Sequence, residues 1–123
     1  MSDAKALYKE GLGHYGQQKY EDAIASYRAA LEADPEFTDC LHALGMSQLN
    51  AGKLQDALET LLEVTKRAPN DPLAFTSLSM AYVRLEKIEE AEDAQAKARM
   101  LTWKEELKTN PNAAPPPPGG GPM

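Results

Sequence analysis

A 34-residue period runs through most of this sequence and constrains its fold more than any other feature. Pro35 and Pro69 lie 34 residues apart, and a shift of the chain by that distance brings side chains of similar size into register. The matching triplets are Leu7, Leu41 and Phe75; Gly11, Gly45 and Ser79; Ala23, Ala57 and Ala91; Tyr27, Leu61 and Gln95; and Ala30, Val64 and Ala98. A period of this length is typical of a stack of similar small units.

Each unit is predicted to be a hairpin of two helices. Apolar residues recur at spacings of three and four, the period of an α-helix, and a short polar turn such as residues 50–53 divides the unit. The sequence contains 19 Ala and 15 Leu but only 2 Val and 2 Ile, which is the reverse of what a β-sheet favours. We therefore predict an all-α fold with helices near residues 3–17, 20–33, 38–51, 54–67, 72–85 and 88–109.

The repeated residues resemble the tetratricopeptide repeat family. The shared features are a large-x-x-small pair at the start of each unit, an alanine, an aromatic residue four positions later, a second small residue and a closing proline. The copies cover residues 4–37, 38–71 and 72–105. The third copy departs from the pattern, with Ser79 in place of glycine, Gln95 in place of the aromatic residue and Trp103 in place of the closing proline. The resemblance implies a right-handed α-solenoid of three helical hairpins within residues 1–109, with an extended C-terminal helix.

Small residues and helix caps support this assignment. Gly11 and Gly45 on the first helices are expected to let the second helix of each hairpin approach closely. Asp71 precedes Pro72 and is predicted to cap the N-terminus of a helix, with proline at the first helical position. Gly52 is predicted to adopt a left-handed conformation at a helix C-terminus.

The last fourteen residues are predicted to form a disordered Pro/Gly-rich tail. Six of the nine prolines follow Asn110, together with glycines at 119–121, so residues 110–123 lack helical character. The run at 115–118 favours an extended polyproline conformation. Binding of this run to an aromatic groove of an SH3-like partner is an alternative, but a plain flexible tail is the preferred interpretation.

Charge and cysteine content exclude several classes of partner. The net charge is −6, which argues against binding to nucleic acid or to an anionic membrane, because both require clustered Lys and Arg. No stretch approaches the roughly 18 consecutive apolar residues of a membrane span. A single cysteine, Cys40, fits a reducing compartment, so a cytoplasmic location is expected.

No motif of catalysis or cofactor binding is present. The sequence contains no phosphate-binding glycine loop, Cys-x-x-Cys pair, HExxH motif or nucleophile elbow. His14 and His42 are on different repeats, and Cys40 is on another face of its helix than His42. We therefore expect no enzyme activity, no metal site and no cofactor.

The first helix of each repeat carries apolar residues on the face opposite the stripe that packs against its partner helix. At spacings of three and four, this face holds Lys5, Tyr8, Leu12 and Tyr15; Asp39, His42, Met46 and Leu49; and Leu73, Thr76, Met80 and Val83. In proteins that resemble this family, the face lines a concave groove. The predicted peptide-binding residues are Tyr8, Leu12, Tyr15, His42, Met46, Leu49, Thr76, Met80 and Val83, of which Leu12 and Val83 are assigned mainly to packing between neighbouring helices.

The resemblance also allows a test of ligand type. Family members that grip the C-terminal carboxylate of a heat-shock chaperone carry Lys, Asn and Arg at positions that correspond to Tyr8, Leu12, Ala43, Leu73 and Ser77 here. None of that clamp is present, so binding of chaperone tails through it is not expected. The groove instead favours a protein or peptide partner that presents apolar side chains.

Two hypotheses of function arise from these observations. The first is a protein-interaction adaptor or co-chaperone-like module, similar in this respect to bacterial secretion chaperones built of three such repeats. The alternative is a self-associating scaffold that organises a multiprotein assembly through its groove or its C-terminal helix. On that helix, Met100, Trp103 and Leu107 form a stripe that is predicted to be either a docking face or a cap for the solenoid.

Overall fold

The computed structural model describes residues 3–117, which contain six helices and no strand. The helices are α1 (Ala4–Gly16), α2 (Tyr20–Ala33), α3 (Thr38–Asn50), α4 (Leu54–Arg67), α5 (Pro72–Arg84) and α6 (Ile88–Leu107). The prediction of an all-α repeat fold is confirmed. The largest difference in bounds is at the last helix, which ends at Leu107 rather than at residue 109.

The helices pack in chain order. Each helix contacts the next one, and the first helices of the hairpins also contact one another, α1 with α3 and α3 with α5. The helices α1, α3 and α5 therefore form one continuous surface, the groove face, and α2, α4 and α6 lie behind it. The apolar core runs between the two layers, as expected when single hairpins cannot bury their own apolar faces.

Glycine on the first helix allows the close approach within two of the hairpins. A Cβ atom added to Gly11 would collide with the ring of Tyr27, and one added to Gly45 would lie 2.7 Å from Cδ2 of Leu61. Tyr27 and Leu61 are both fully buried. The predicted role of these two glycines is confirmed by this geometry.

The third hairpin replaces both members of this contact together. Ser79 takes the place of glycine, and its hydroxyl donates a hydrogen bond of 3.0 Å to the backbone carbonyl of Ala91 on α6. The facing position holds the half-buried Gln95 instead of a buried Tyr or Leu. A flexible polar chain leaves room for the serine, so the two departures from the repeat pattern compensate each other.

The turns inside the three hairpins share one backbone geometry. Gln18, Gly52 and Glu86, each separated by 34 residues, have φ values of +61°, +82° and +61°. The left-handed conformation predicted for Gly52 is confirmed, but sequence reasoning missed the other two, because glutamine and glutamate rarely adopt it. The predicted cap is also confirmed, since the Asp71 carboxylate accepts a hydrogen bond of 3.0 Å from the backbone N–H of Leu73.

Residues beyond α6 turn back towards it. The backbone N–H of Ala113 donates to the carbonyl of Asn110, and Nε1 of Trp103 donates to the carbonyl of Ala113, both over 3.0 Å. The first part of the predicted disordered tail, residues 110–117, thus contacts the folded body. Residues 118–123 lie outside the described part of the chain, so disorder of the tail as a whole stays a prediction.

Substitution of Gly45 by alanine tests the close approach. The added methyl group must displace Leu61, and overpacking of this kind reduces the free energy of unfolding by about 1–3 kcal/mol. Gly13→Ala is the matched control, because a Cβ at Gly13 meets nothing within 4 Å and should stabilise α1 by about 0.5–1 kcal/mol. Denaturant unfolding of both variants measures the difference. Equal effects of the two substitutions would contradict the account.

Candidate functional site

The groove face contains an open pocket of about 320 Å³ between α1 and α3. Helical spacing aligns the contributing side chains along the facing sides of these two helices, and α2 contributes one residue from behind. The lining residues are Tyr8, Leu12, Tyr15, Tyr27, Asp39, His42, Ala43 and Met46. The pocket therefore brings together Tyr8, Leu12, Tyr15, His42 and Met46 of the predicted peptide-binding set.

Tyrosine rings form the walls of this pocket. The Tyr8 ring packs against Phe37 with centroids 4.8 Å apart, and the Tyr15 ring meets Tyr20 edge-on at 5.4 Å. Burial raises the pKa of Tyr8, and the negative charge of Asp39 raises it further. The Tyr8 hydroxyl therefore stays protonated at neutral pH and can donate a hydrogen bond.

Tyr27 forms the floor of the pocket and carries an unpaired polar group. Its side chain is fully buried beneath Gly11, and no group within residues 3–117 offers its hydroxyl a hydrogen bond. Burial raises the pKa of Tyr27 to about 12, so the hydroxyl is neutral. An unsatisfied buried hydroxyl costs about 1–3 kcal/mol, which the apolar packing of the first hairpin has to offset.

Hydrogen bonds between neighbouring first helices hold the polar residues of the groove face in place. Nε2 of His42 on α3 lies 2.7 Å from the hydroxyl of Ser77 on α5, and Nδ2 of Asn50 donates to the hydroxyl of Tyr15 over 2.9 Å. Burial lowers the pKa of His42, although the Asp71 and Asp39 carboxylates act in the opposite direction. A neutral His42 at physiological pH can bond Ser77 without a buried charge.

The groove face continues as an exposed apolar strip along α5. Leu73, Met80 and Val83 are 66%, 46% and 52% exposed, which is unusual for side chains of this size on one helix face. Thr76 lies between them and is half-buried, with its hydroxyl bonded to the carbonyl of Pro72. The predicted residues of the third repeat therefore remain accessible.

One predicted groove residue is wrong, and two others were assigned to the wrong environment. Leu49 is only 2% exposed and packs in the core with Leu61 and Leu78, so it cannot contact a ligand. Its repeat equivalents, Tyr15 and Val83, lie on the outer hairpins, whereas α3 has neighbours on both sides. Leu12 and Val83, assigned mainly to packing, are instead 44% and 52% exposed.

The stripe predicted on α6 does not form one open docking face. Met100 is 43% exposed, but Trp103 and Leu107 are half-buried. α6 is continuous to Leu107, and Nε1 of Trp103 donates to the carbonyl of Ala113 in the segment that follows the helix. The role of this stripe as a cap or as a docking face stays a prediction.

Three residues that line the pocket were not among the predicted peptide-binding residues. Tyr27 was recognised only as a core position, yet its hydroxyl distinguishes it from the leucine at the equivalent position of the second repeat. Asp39 was placed on the groove face but not in the peptide-binding set, and Ala43 was named only as a clamp position; both line the pocket. An aromatic residue at the position of Tyr27 is part of the repeat pattern, so the sequence carries no signal that separates it from the core.

The rest of the described chain supplies little further chemistry. Within residues 3–117, no group of three His, Cys, Asp or Glu side chains could hold a metal ion. Burial raises the pKa of the Cys40 thiol to about 11, and its Sγ lies 3.5 Å from the carbonyl of Tyr27, which describes an unreactive core residue. None of the six helices has both the length and the apolar character needed to cross a bilayer.

The sequence is similar to a known family and to proteins of known name. A family model described as tetratricopeptide repeat matches residues 14–79. The chain is also similar to the Photosystem I assembly protein Ycf3 of Synechococcus sp. (strain CC9605), with 23% identity over 118 residues, covering 89% of this chain and 68% of that protein.

Two solved structures have a similar shape. The type III secretion translocator chaperone SycD of Yersinia enterocolitica, in a form described as an alternative dimer, has a TM-score of 0.78 and 22% identity, with 86% of this chain and 81% of that chain covered. MamA from MSR-1 has a TM-score of 0.78 and 23% identity, with 84% of this chain covered. The chain spans only 59% of the MamA chain. At these identities the likeness shows a common fold.

Titration of His42 tests the electrostatics of the groove face. The pKa of His42 in the folded protein is expected to lie below its ordinary value of about 6.5. The unfolded chain then binds the proton first as pH falls, so the contribution of His42 to stability is full above about pH 6.5 and declines below it. NMR titration of the imidazole measures the pKa, and His42→Gln should remove this part of the pH dependence. A midpoint at or above 6.5 contradicts the predicted direction.

Proposed function

Because this chain belongs to the tetratricopeptide repeat family, we propose that it is a protein-interaction adaptor whose groove face binds an apolar segment of a partner protein. Members of this family are generally non-enzymatic interaction modules. The observation that carries the proposal is the pocket between α1 and α3, which is lined by aromatic, aliphatic and methionine side chains. Such side chains combine a large contact area with adaptable shape.

The pocket favours one apolar anchor side chain. Leu12 and Met46 offer apolar contact, and Tyr8 offers an aromatic wall. Asp39 at the edge carries a negative charge, which favours a basic residue next to the anchor.

The exposed strip on α5 extends the proposed contact beyond the pocket. A partner segment that covers Met80 and Val83 as well as Leu12 removes about 400 Å² of apolar surface from water, which gives roughly 10 kcal/mol before the cost of ordering. After several kcal/mol of that cost, the expected affinity is micromolar. An extended peptide or an amphipathic helix would each fit this arrangement.

The proposed ligand is not a chaperone tail held by its terminal carboxylate. The positions that correspond to the carboxylate clamp hold no Lys, Arg or Asn, and one of them, Ser77, is already bonded to His42. The names of the similar proteins, a secretion chaperone and an assembly protein, support a partner that is itself a protein awaiting assembly or delivery. We propose a cytoplasmic location, consistent with the lone buried thiol of Cys40.

Two exposed groove residues and one matched surface residue test the proposal. Leu12→Ser and Met80→Ser remove apolar contacts from residues that are 44% and 46% exposed, so the fold should survive. Because less than half of each side chain is left for a partner to cover, each lost contact is worth on the order of 1 kcal/mol, so the double variant should bind a partner recovered by affinity capture more than about tenfold more weakly. Met100→Ser is the control, because Met100 is 43% exposed but lies on α6, away from the groove face. Equal binding by the native chain, the double variant and the control would overturn the groove proposal.

Self-association through the groove face is a second candidate function, favoured by the exposed Leu73 and Val83 on α5. Two chains that cover this strip mutually would form a symmetric contact. Light scattering over a dilution series should then show a mass that rises with concentration, and Leu73→Ser should abolish the rise. A mass that stays at that of one chain throughout contradicts this candidate.

A further inference from the structure

Part of the segment 110–117 lies against α6 at the open end of the solenoid. Asn110 makes a turn, its N–H donating over 2.8 Å to the carbonyl of Glu106, and the chain then reverses along α6. The indole Nε1 of Trp103 donates to the carbonyl of Ala113 over 3.0 Å. The indole N–H of this tryptophan on α6 thus has a hydrogen-bond acceptor in the segment that follows the helix.

The covering segment occupies a place that the repeat architecture leaves vacant. Ala114 and Pro116 line a cavity of about 300 Å³ together with Ala98 and Trp103 of α6 and Thr76 of α5. In the first hairpin, the position equivalent to Ala98 is Ala30 of α2, which packs in the core with Cys40 and Leu44 of α3. The segment therefore lies where the first helix of a further hairpin would pack.

The proline-rich segment cannot form a helix, but its sequence favours docking against α6 in an extended conformation. Each proline fixes φ near −65° and disfavours helical geometry in the residue before it, so residues 114–117 are held extended. A pre-extended segment loses little entropy when it docks. Contact of proline with an indole ring, and donation from the indole N–H to a backbone carbonyl, are the means by which aromatic grooves bind polyproline segments.

We propose that the end surface formed by α5 and α6 around Trp103 is a binding site for an extended proline-rich segment, and that its occupant is residues 110–117 of the same chain. The segment acts as a strap that replaces the missing helix and shields the last hairpin. Because Pro116 and Thr76 line the same cavity, the strap also reaches the end of the groove face. This site is separate from the pocket between α1 and α3, so a test of the strap does not depend on whether the proposed function is correct.

The single tryptophan gives a direct readout, because the sequence contains only Trp103. A chain ending at Thr109 should show emission at longer wavelength and stronger quenching by acrylamide than the full chain, with helicity by circular dichroism retained. A synthetic peptide of residues 110–123, added to the shortened chain, should restore the emission of the full chain. The same peptide with alanine at positions 115–118 should not. Identical emission and quenching of the full and shortened chains would overturn the proposal.

Truncation could change the emission of Trp103 by fraying α6 rather than by removing the strap. Two matched variants of the full-length chain distinguish these effects. Pro116 is half-buried and lines the cavity, whereas Pro115 is exposed. Pro116→Ala and Pro115→Ala release the same backbone constraint, so any difference between them reports contact rather than chain stiffness. Acrylamide quenching of Trp103 should increase more in Pro116→Ala than in Pro115→Ala. Equal quenching in the two variants would show that Pro116 does not dock as proposed.

Discussion

The close approach of the two helices within a hairpin determines much of the rest of this structure. Because Gly11 has no side chain, the ring of Tyr27 passes directly beneath α1 and fills the core. The same residue also lines the pocket on the groove face. One contact therefore both holds the first hairpin together and contributes to the lining of the candidate site.

The position of a hairpin in the stack decides whether the same repeat position is core or surface. Tyr15, Leu49 and Val83 occupy the same position of the 34-residue repeat. Tyr15 is half-buried, Leu49 is buried and Val83 is exposed. The middle helix α3 has a first helix on each side, whereas α5 has one neighbour only. The apolar strip on α5 and the cover over Trp103 are two consequences of the same open end.

The period and the helical spacing were sufficient to predict the six helices, the close approach at Gly45 and the cap at Asp71, because each depends on local residues or on one neighbouring helix. The burial of Leu49 could not be predicted in this way, since it depends on packing from two sides. The path of residues 110–117 was missed because composition indicates that a segment is not helical but not what it contacts. The contribution of Tyr27 to the pocket was missed because the repeat pattern itself places an aromatic residue there as a core position.

The central claim is that a partner is bound on the groove face, at the pocket and the strip on α5. Methyl NMR of the methionines tests it most directly, because Met46 lines the pocket, Met80 lies on the strip, and Met100 is comparably exposed on α6. On addition of a captured partner, the account predicts that the Met46 and Met80 resonances shift while that of Met100 does not. A shift of Met100 with Met46 and Met80 unchanged would contradict it.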